Sequence, residues 1–302
     1  MSEYSRKIRH DFAEGDRKRD KGLKTPDDII RYDNISYGPH PEWNLLDIYR
    51  PKAAEGKKLP VIAIIHGGAW VYGDKNVYQF YGMSLAQRGF AVVNYSYRLA
   101  PEYQFPTPIE DTCAVLKWVY DNANKYNLDI TNVFAVGDSA GAHILGSYAA
   151  FCTDPEYKTA LKKAYPNKKL SAPRGIKLNA IALNCGKYDL NKDYEKDKNL
   201  QYIKGDYLPK GGTKKEMELN NVTAHITDKF PPSFIMTCPG DFLRSQAAHI
   251  SSALNENSVP FCYRYYGSAK KPLHHVFHCN MRLEEAVKCN DDECDFFRQY
   301  MK

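Results

Sequence analysis

Two short glycine-rich runs carry residue types that together could attack a carbonyl group. Gly137-Asp138-Ser139-Ala140-Gly141 follows Val133-Phe134-Ala135-Val136, which reads as a buried strand, and precedes small or apolar residues up to Ala150 that read as a helix. A serine on such a strand-to-helix turn sits in a strained conformation with its hydroxyl exposed, while Gly137 and Gly141 let strand and helix pass closely. The amide of Ala140, at the start of that helix, points toward the oxygen of a carbonyl under attack. His66-Gly67-Gly68-Ala69-Trp70 ends another apolar stretch, Val61 to Ile65, so Gly67 and Gly68 can turn back and offer further donors to the same oxygen. A glycine-flanked serine alone is as readily a plain tight turn. The order of strand, donor loop, strand, serine and helix makes the reading specific.

A serine hydroxyl is a weak nucleophile, so a base and a residue that orients the base are expected downstream. Pro232 to Cys238 reads as a strand and delivers Asp241 on the following loop. Pro260 to Tyr266 reads as the next strand, and its loop carries His274, His275 and His278 as candidate bases. Asp189, after the strand ending near Asn184, is the rival acid. Ser139 and Asp241 both follow the C-terminal ends of strands, where open parallel sheets bind ligands.

With these residues the chain resembles the hormone-sensitive-lipase-like branch of the α/β-hydrolases. Five motifs carry the resemblance, in order, over roughly residues 40 to 300: H-G-G-A-W at 66–70, Tyr97-Arg98-Leu99-Ala100-Pro101-Glu102 with Phe105-Pro106, G-D-S-A-G at 137–141, Asp241-Phe242-Leu243, and His275-Val276-Phe277. The resemblance implies a serine carboxylesterase in which Ser139, Asp241 and His275 are catalytic and Gly67, Gly68 and Ala140 form the oxyanion hole. A small residue and then Phe follow the histidine in such enzymes, which favours His275 over His274, with Val276 a modest departure. Short-chain acyl esters, acetyl esters for example, are the expected small-molecule substrates. Trp70 and Tyr72 are expected to bind and crowd the acyl side, with no cofactor and no metal. An arylformamidase or other amidase would use the same residues. A non-catalytic binding protein derived from a hydrolase would keep the fold, but this chain retains serine, acid and histidine alike.

Strand and helix patterns alternate at the spacing of βα units, so the expected fold class is α/β. The architecture expected is one α/β-hydrolase domain over residues 1–302, with a mostly parallel central sheet flanked by helices and a small cap or lid insertion. Strands are expected at Leu45–Tyr49, Val61–Ile65 and Phe90–Tyr95 and near residues 133, 179, 233 and 261. Helices are expected at Tyr78–Arg88, Ile109–Tyr126 and about Arg282–Tyr300. Residues 1 to about 32 are charged and helix-compatible, a cap-like segment; residues 187–225 form a polar insertion and the better lid candidate. The insertion holds Tyr188, Tyr194, Tyr202 and Tyr207, which either stack on substrate or pack into a small local core.

A net charge of +6 over 302 residues is modest, so partners of strong opposite charge are not demanded. Lys158 to Lys177 holds seven basic residues and no acidic one; it reads as a solvated loop, and no nucleic-acid motif accompanies it. Eight cysteines occur singly, and the only close pair, Cys289 and Cys294, has no histidine beside it, so reduced core residues are expected rather than a disulfide scaffold or zinc site. The opening residues contain no apolar run, which leads to the expectation of a cytoplasmic protein without a membrane span. An exposed edge strand would allow a homodimer through a continuous sheet.

Overall fold

The computed structural model describes residues 1–191 and 198–302. One sheet contains the strands β1 (Ile29–Ser36), β2 (Leu45–Pro51), β3 (Leu59–Ile65), β4 (Ala91–Tyr95), β5 (Leu128–Asp138), β6 (Leu178–Asn184), β7 (Ser233–Thr237) and β8 (Phe261–Tyr265). Their spatial order is β1-β2-β4-β3-β5-β6-β7-β8. The β1/β2 and β2/β4 pairs are antiparallel, and every pairing from β4 to β8 is parallel. The helices among the described residues are α1 (Glu3–Asp20), α2 (Gln79–Gln87), α3 (Thr107–Asn122), α4 (Ala140–Thr153), α5 (Pro155–Ala164), α6 (Lys198–Tyr207), α7 (Lys214–Leu219), α8 (Arg244–Glu256) and α9 (Glu284–Arg298).

Period-two alternation explains why the central strands are apolar throughout. Val61, Ala63 and Ile65 face one layer of the core together with Ile144 and Leu145 of α4, while Ile62 and Ile64 face the other with Met83 and Leu85 of α2 and Phe297 of α9. A strand covered on both faces has no position left for polar residues. Each fully buried aliphatic side chain contributes about 1.5–3 kcal/mol.

Register then levels the strand ends. Ile65 pairs with Tyr95 on one side and Gly137 on the other, Asp138 with Asn184, Asn184 with Met236, and Thr237 with Tyr265. The loops after β3, β5, β7 and β8 therefore leave the sheet side by side at one end.

The structure departs from the sequence expectations in two places. The N-terminal helix stops at Asp20, and Ile29–Ser36 forms the outer antiparallel strand β1. A register shift between Tyr32 and Ile35 and a mostly solvent-facing surface blur its alternation, which is why it does not read as a strand. The basic stretch begins not as a loop but as α5, capped by the Asp154 carboxylate, which accepts from Glu156 and Tyr157 N–H groups. Within the insertion, Tyr188 and Tyr207 are buried in the core and Tyr202 is exposed; Tyr194 lies outside the described residues.

Among the described residues, α1 lies across the strand ends, beside Ile203 of α6. Ser2 caps α1 by accepting from Ser5 N–H, and Arg17, Lys18 and Arg19 complement the helix dipole in its last turn. Its side chains tie it to the donor loop and the residues that follow. Arg9 donates to the Val71 carbonyl at 2.7 Å and the Ala100 carbonyl at 2.9 Å, and Arg19 to the Val77 carbonyl at 2.6 Å. Ser2 N–H reaches the Asp206 carboxylate on α6 at 2.8 Å. No helix among the described residues is long and apolar enough to cross a membrane, and all eight cysteines are free.

Candidate active site

Ser139 occupies the turn between β5 and α4 with φ of 53° and ψ of −118°, a region that costs a non-glycine residue about 1–3 kcal/mol. The turn persists because its neighbours fix it: Ser139 N–H donates to the Asn184 carbonyl at 3.0 Å, and the Ser139 carbonyl accepts from Lys187 N–H at 3.2 Å. Glycine is required at both flanks. A Cβ on Gly141 would lie 2.1 Å from the Ile65 carbonyl oxygen, and one on Gly137 would lie 2.6 Å from the Gly141 oxygen.

The loops after β7 and β8 are joined by a short parallel bridge, Gly240 with His274, which brings the next residue of each loop together. His275 Nδ1 lies 2.7 Å from Asp241 Oδ1, and His275 Nε2 lies 3.0 Å from Ser139 Oγ. Asp241 also accepts from Thr237 Oγ1 at 2.7 Å and from Leu243 N–H at 2.9 Å. Burial works to raise the Asp241 carboxyl, but the hydrogen bonds and charge of His275, Thr237 and Leu243 outweigh it and hold the group below the usual aspartate value. A carboxylate at Nδ1 fixes the tautomer that leaves Nε2 free to accept the serine proton.

The rival residues lie elsewhere. His274 is exposed beside Gly240, and His278 is fully buried with Nδ1 lacking a partner, where burial pushes it down to about 3. Asp189 accepts from Asn191 N–H at 2.8 Å.

The donor loop departs from expectation at one residue. Gly67 N–H, expected to face the reacting oxygen, is spent on the Tyr78 hydroxyl at 2.9 Å, and that hydroxyl donates to Asp138 Oδ2 at 2.8 Å. The amides of Gly68, Ala69 and Ala140 donate to no acceptor among the described residues, and these three residues line the cavities at Ser139. Ala69 is not among the donors the sequence leads one to expect. Gly68, Ala69 and Trp70 carry φ of 107°, 52° and 61° in succession, and consecutive left-handed residues of this kind turn backbone amides into an anion-binding concavity. The loop is braced from behind. Tyr97 stacks on His66 at 4.1 Å and donates to its carbonyl at 3.1 Å, while Arg98 forms a buried ion pair with Asp111 at 2.6 Å. Burial pushes His66 down to about 4, so it stays neutral at physiological pH, with Nδ1 2.8 Å from the Gly67 carbonyl. Burial also pushes the Asp138 carboxyl up to about 7, against the opposing hydrogen bond from Tyr78.

Two cavities meet at Ser139 and His275. The smaller, about 100 Å³, is largely apolar, with Ile8, Trp70, Ala140, Ile203 and Leu243 in its wall. The larger, about 320 Å³, opens between Tyr72, Gly68 and the α1 residues Asp16 and Arg19. Trp70 is buried and stacked on Tyr207 at 4.5 Å, and Tyr72 donates to Asp16 at 2.8 Å, so the two expected substrate-contacting residues face different cavities. Phe12 and Phe242 line both, and Phe242, 70% exposed, lies 4.3 Å from the His275 ring. Neither was anticipated. An exposed phenylalanine against the His275 ring is a signal that appears only after folding.

Among solved structures, esterase B from Lactobacillus rhamnosis matches with a TM-score of 0.87 at 22% identity, over 99% of this chain and 97% of that one. The esterase of Pyrobaculum calidifontis matches with a TM-score of 0.75 at 20% identity, over 99% and 94%. At such identities these likenesses speak for the fold, that of the α/β-hydrolases. In sequence, the versiconal hemiacetal acetate esterase of Dothistroma septosporum is 28% identical over 72% of this chain and 67% of its own length. Esterase LipC of Mycobacterium tuberculosis is 32% identical over 42% of this chain, which spans only 32% of that protein. The BD-FAE family model matches residues 46–254, more than half of the chain, and the chain belongs to the BD-FAE family.

Proposed function

We propose that the protein is a serine carboxylesterase that hydrolyses short-chain acyl esters, acetyl esters among them, through an acyl-enzyme. The observation carrying this reading is the unbroken line from Asp241 through His275 to Ser139 Oγ, ending where the two cavities join. In the proposed reaction His275 Nε2 takes the Ser139 proton as Oγ bonds to the ester carbonyl carbon. The electron pair pushed onto the carbonyl oxygen is held by the amides of Gly68, Ala69 and Ala140. Collapse expels the alcohol, to which His275 returns the proton, and water repeats the sequence to release the carboxylic acid. Asp241 stabilises the imidazolium formed in each half.

The 100 Å³ apolar cavity supports a small acyl group, and the larger cavity, with Asp16, Arg19 and Tyr72 in its wall, suits the alcohol portion. By analogy with the acetate ester in the name of the fungal relative, we assign a natural role in removing acetyl or similar groups from carbohydrate or plant-derived molecules. The test is kcat/KM across p-nitrophenyl esters from two to sixteen carbons, beside matched anilides and N-formylarylamines, with Ser139→Ala as control. A maximum between two and about six carbons is expected, because added methylenes find no free space. A maximum at twelve or more would overturn the short-chain assignment, and faster cleavage of the amides would make the protein an amidase.

A further inference from the structure

The two halves of the oxyanion hole come from different loops, and one hydroxyl joins them. Gly68 and Ala69 belong to the loop after β3, Ala140 to the turn after β5. Tyr78, at the end of a short 3-10 turn before α2, accepts from Gly67 N–H at 2.9 Å and donates to Asp138 Oδ2 at 2.8 Å. Gly67 directly precedes the donors of the first half, and Asp138 is two residues before the donor of the second. The junction has no slack, since a Cβ on Gly67 would lie 2.5 Å from Asp138 Oδ2 and 3.0 Å from the Tyr78 hydroxyl. The contact is largely buried, Tyr78 and Asp138 being 7% and 2% exposed, and it lies in the wall of the 320 Å³ cavity. The ring is held by Tyr81 edge-on at 6.5 Å and by His66 at 5.8 Å.

We propose that Tyr78 is a positioning residue for the oxyanion hole, its hydroxyl setting the separation between the Gly68 and Ala69 amides and the Ala140 amide. The proposal rests on the reading of the site as an ester hydrolase. Without the bridge, the Gly67 amide and the Asp138 carboxyl lose a buried partner, and the donor loop, already held at left-handed φ over three residues, is released to turn. The amides then no longer meet the oxyanion together. Tyr78 lines the larger cavity, but a substitution that keeps its ring keeps that wall, so substrate binding is little affected.

Tyr78→Phe keeps the ring and removes the bridge. The measurement is kcat and KM for an aryl ester and the matching thionoester, with active-site titration and melting temperature alongside. Sulfur is a weak acceptor, so the thionoester reports chemistry that depends less on the hole. The expected result is a kcat for the oxoester lowered about 10- to 100-fold, since loss of one whole donor costs about 10²–10³. KM should stay within about twofold and the oxo-to-thiono ratio of kcat should fall at least about fivefold. A merely structural role would lower titratable enzyme or melting temperature and scale both substrates alike. A folded variant with an unchanged ratio therefore overturns the proposal. Should Tyr78→Phe not fold, Asp138→Asn carries the test, because its carboxamide is a weaker acceptor for Tyr78; a ratio lowered at least about twofold supports the proposal and an unchanged one overturns it. Failure of the parent protein to cleave either ester would overturn the esterase reading and this proposal with it, whereas an active parent with an unaffected variant overturns this proposal alone.

Discussion

His275 Nε2 lies 3.0 Å from Ser139 Oγ, although 136 positions separate the two residues in the chain. The contact exists because the register of β5 through β8 ends their loops at one level and the Gly240–His274 bridge fixes which neighbour faces the serine. His275→Ala should therefore lower kcat on an aryl acetate by about 10⁴-fold or more, and Asp241→Asn by about 10⁴-fold through the wrong tautomer. His274→Ala and Asp189→Asn should stay within about tenfold of the parent, since neither side chain joins this line. Steady-state kinetics of the four variants check the ranking, and a reversed order would reassign base or acid.

Ile203 of α6 closes the small cavity and is buried. Ile203→Ala should move the acyl-chain optimum toward longer chains by about one to two carbons, each added methylene recovering up to about 0.8 kcal/mol. The p-nitrophenyl ester series on parent and variant reads this directly, and an unmoved optimum would mean the acyl group lies in the other cavity.

Phe242 is mostly exposed yet sits against the His275 ring, so it contributes little to the core and much to the mouth of the site. Phe242→Ala should lower kcat/KM about 10-fold while leaving the melting temperature within about 2 °C. Equal losses of stability and activity would make its role structural.

Glu293 is fully buried on α9, accepting from Tyr81 at 2.7 Å and Asn184 at 2.6 Å, and burial pushes its carboxyl up from 4.5 to about 7. Between those values the folded state binds a proton that the unfolded state does not, so stability falls as pH rises through that window and levels off above about 7. Glu293→Gln removes this titration. The melting temperature of the variant relative to the parent should rise between pH 5 and pH 8, by roughly 5 °C for a change on the order of 2–3 kcal/mol. A pH-independent difference would contradict the shift.

The convergence of Ser139, Asp241 and His275 was legible because one local signal sufficed for each. Ser139, Asp241 and His275 each follow an apolar strand run, and the alternation of strands and helices brings those runs to one sheet end. That the Gly67 amide donates to Tyr78, eleven positions on, is not legible in the sequence, because only the folded loop creates the contact. Ala69 was missed for the same reason, since nothing in its residue type announces a φ of 52°. The edge strand β1 escaped because it buries little on either face; the helical character of the opening segment was legible, but not that its arginines hold the Val71, Val77 and Ala100 carbonyls while Tyr4, Ile8 and Phe12 face the small cavity. Of the two places the sequence leaves open for Tyr188 and Tyr207, a substrate stack or a packed core, both side chains take the core.

The central claim is that Ser139 becomes covalently attached to the acyl group, and covalent labelling tests it most directly. The protein would be treated with a p-nitrophenyl alkylphosphonate, followed by intact mass and peptide mapping, with Ser139→Ala in parallel. The account predicts one adduct per chain, on the peptide containing Ser139, forming at the rate at which esterase activity disappears; the alanine variant should remain unlabelled, folded and slower by about 10⁴- to 10⁶-fold. Labelling of another residue, or esterase activity that survives in Ser139→Ala, would contradict it.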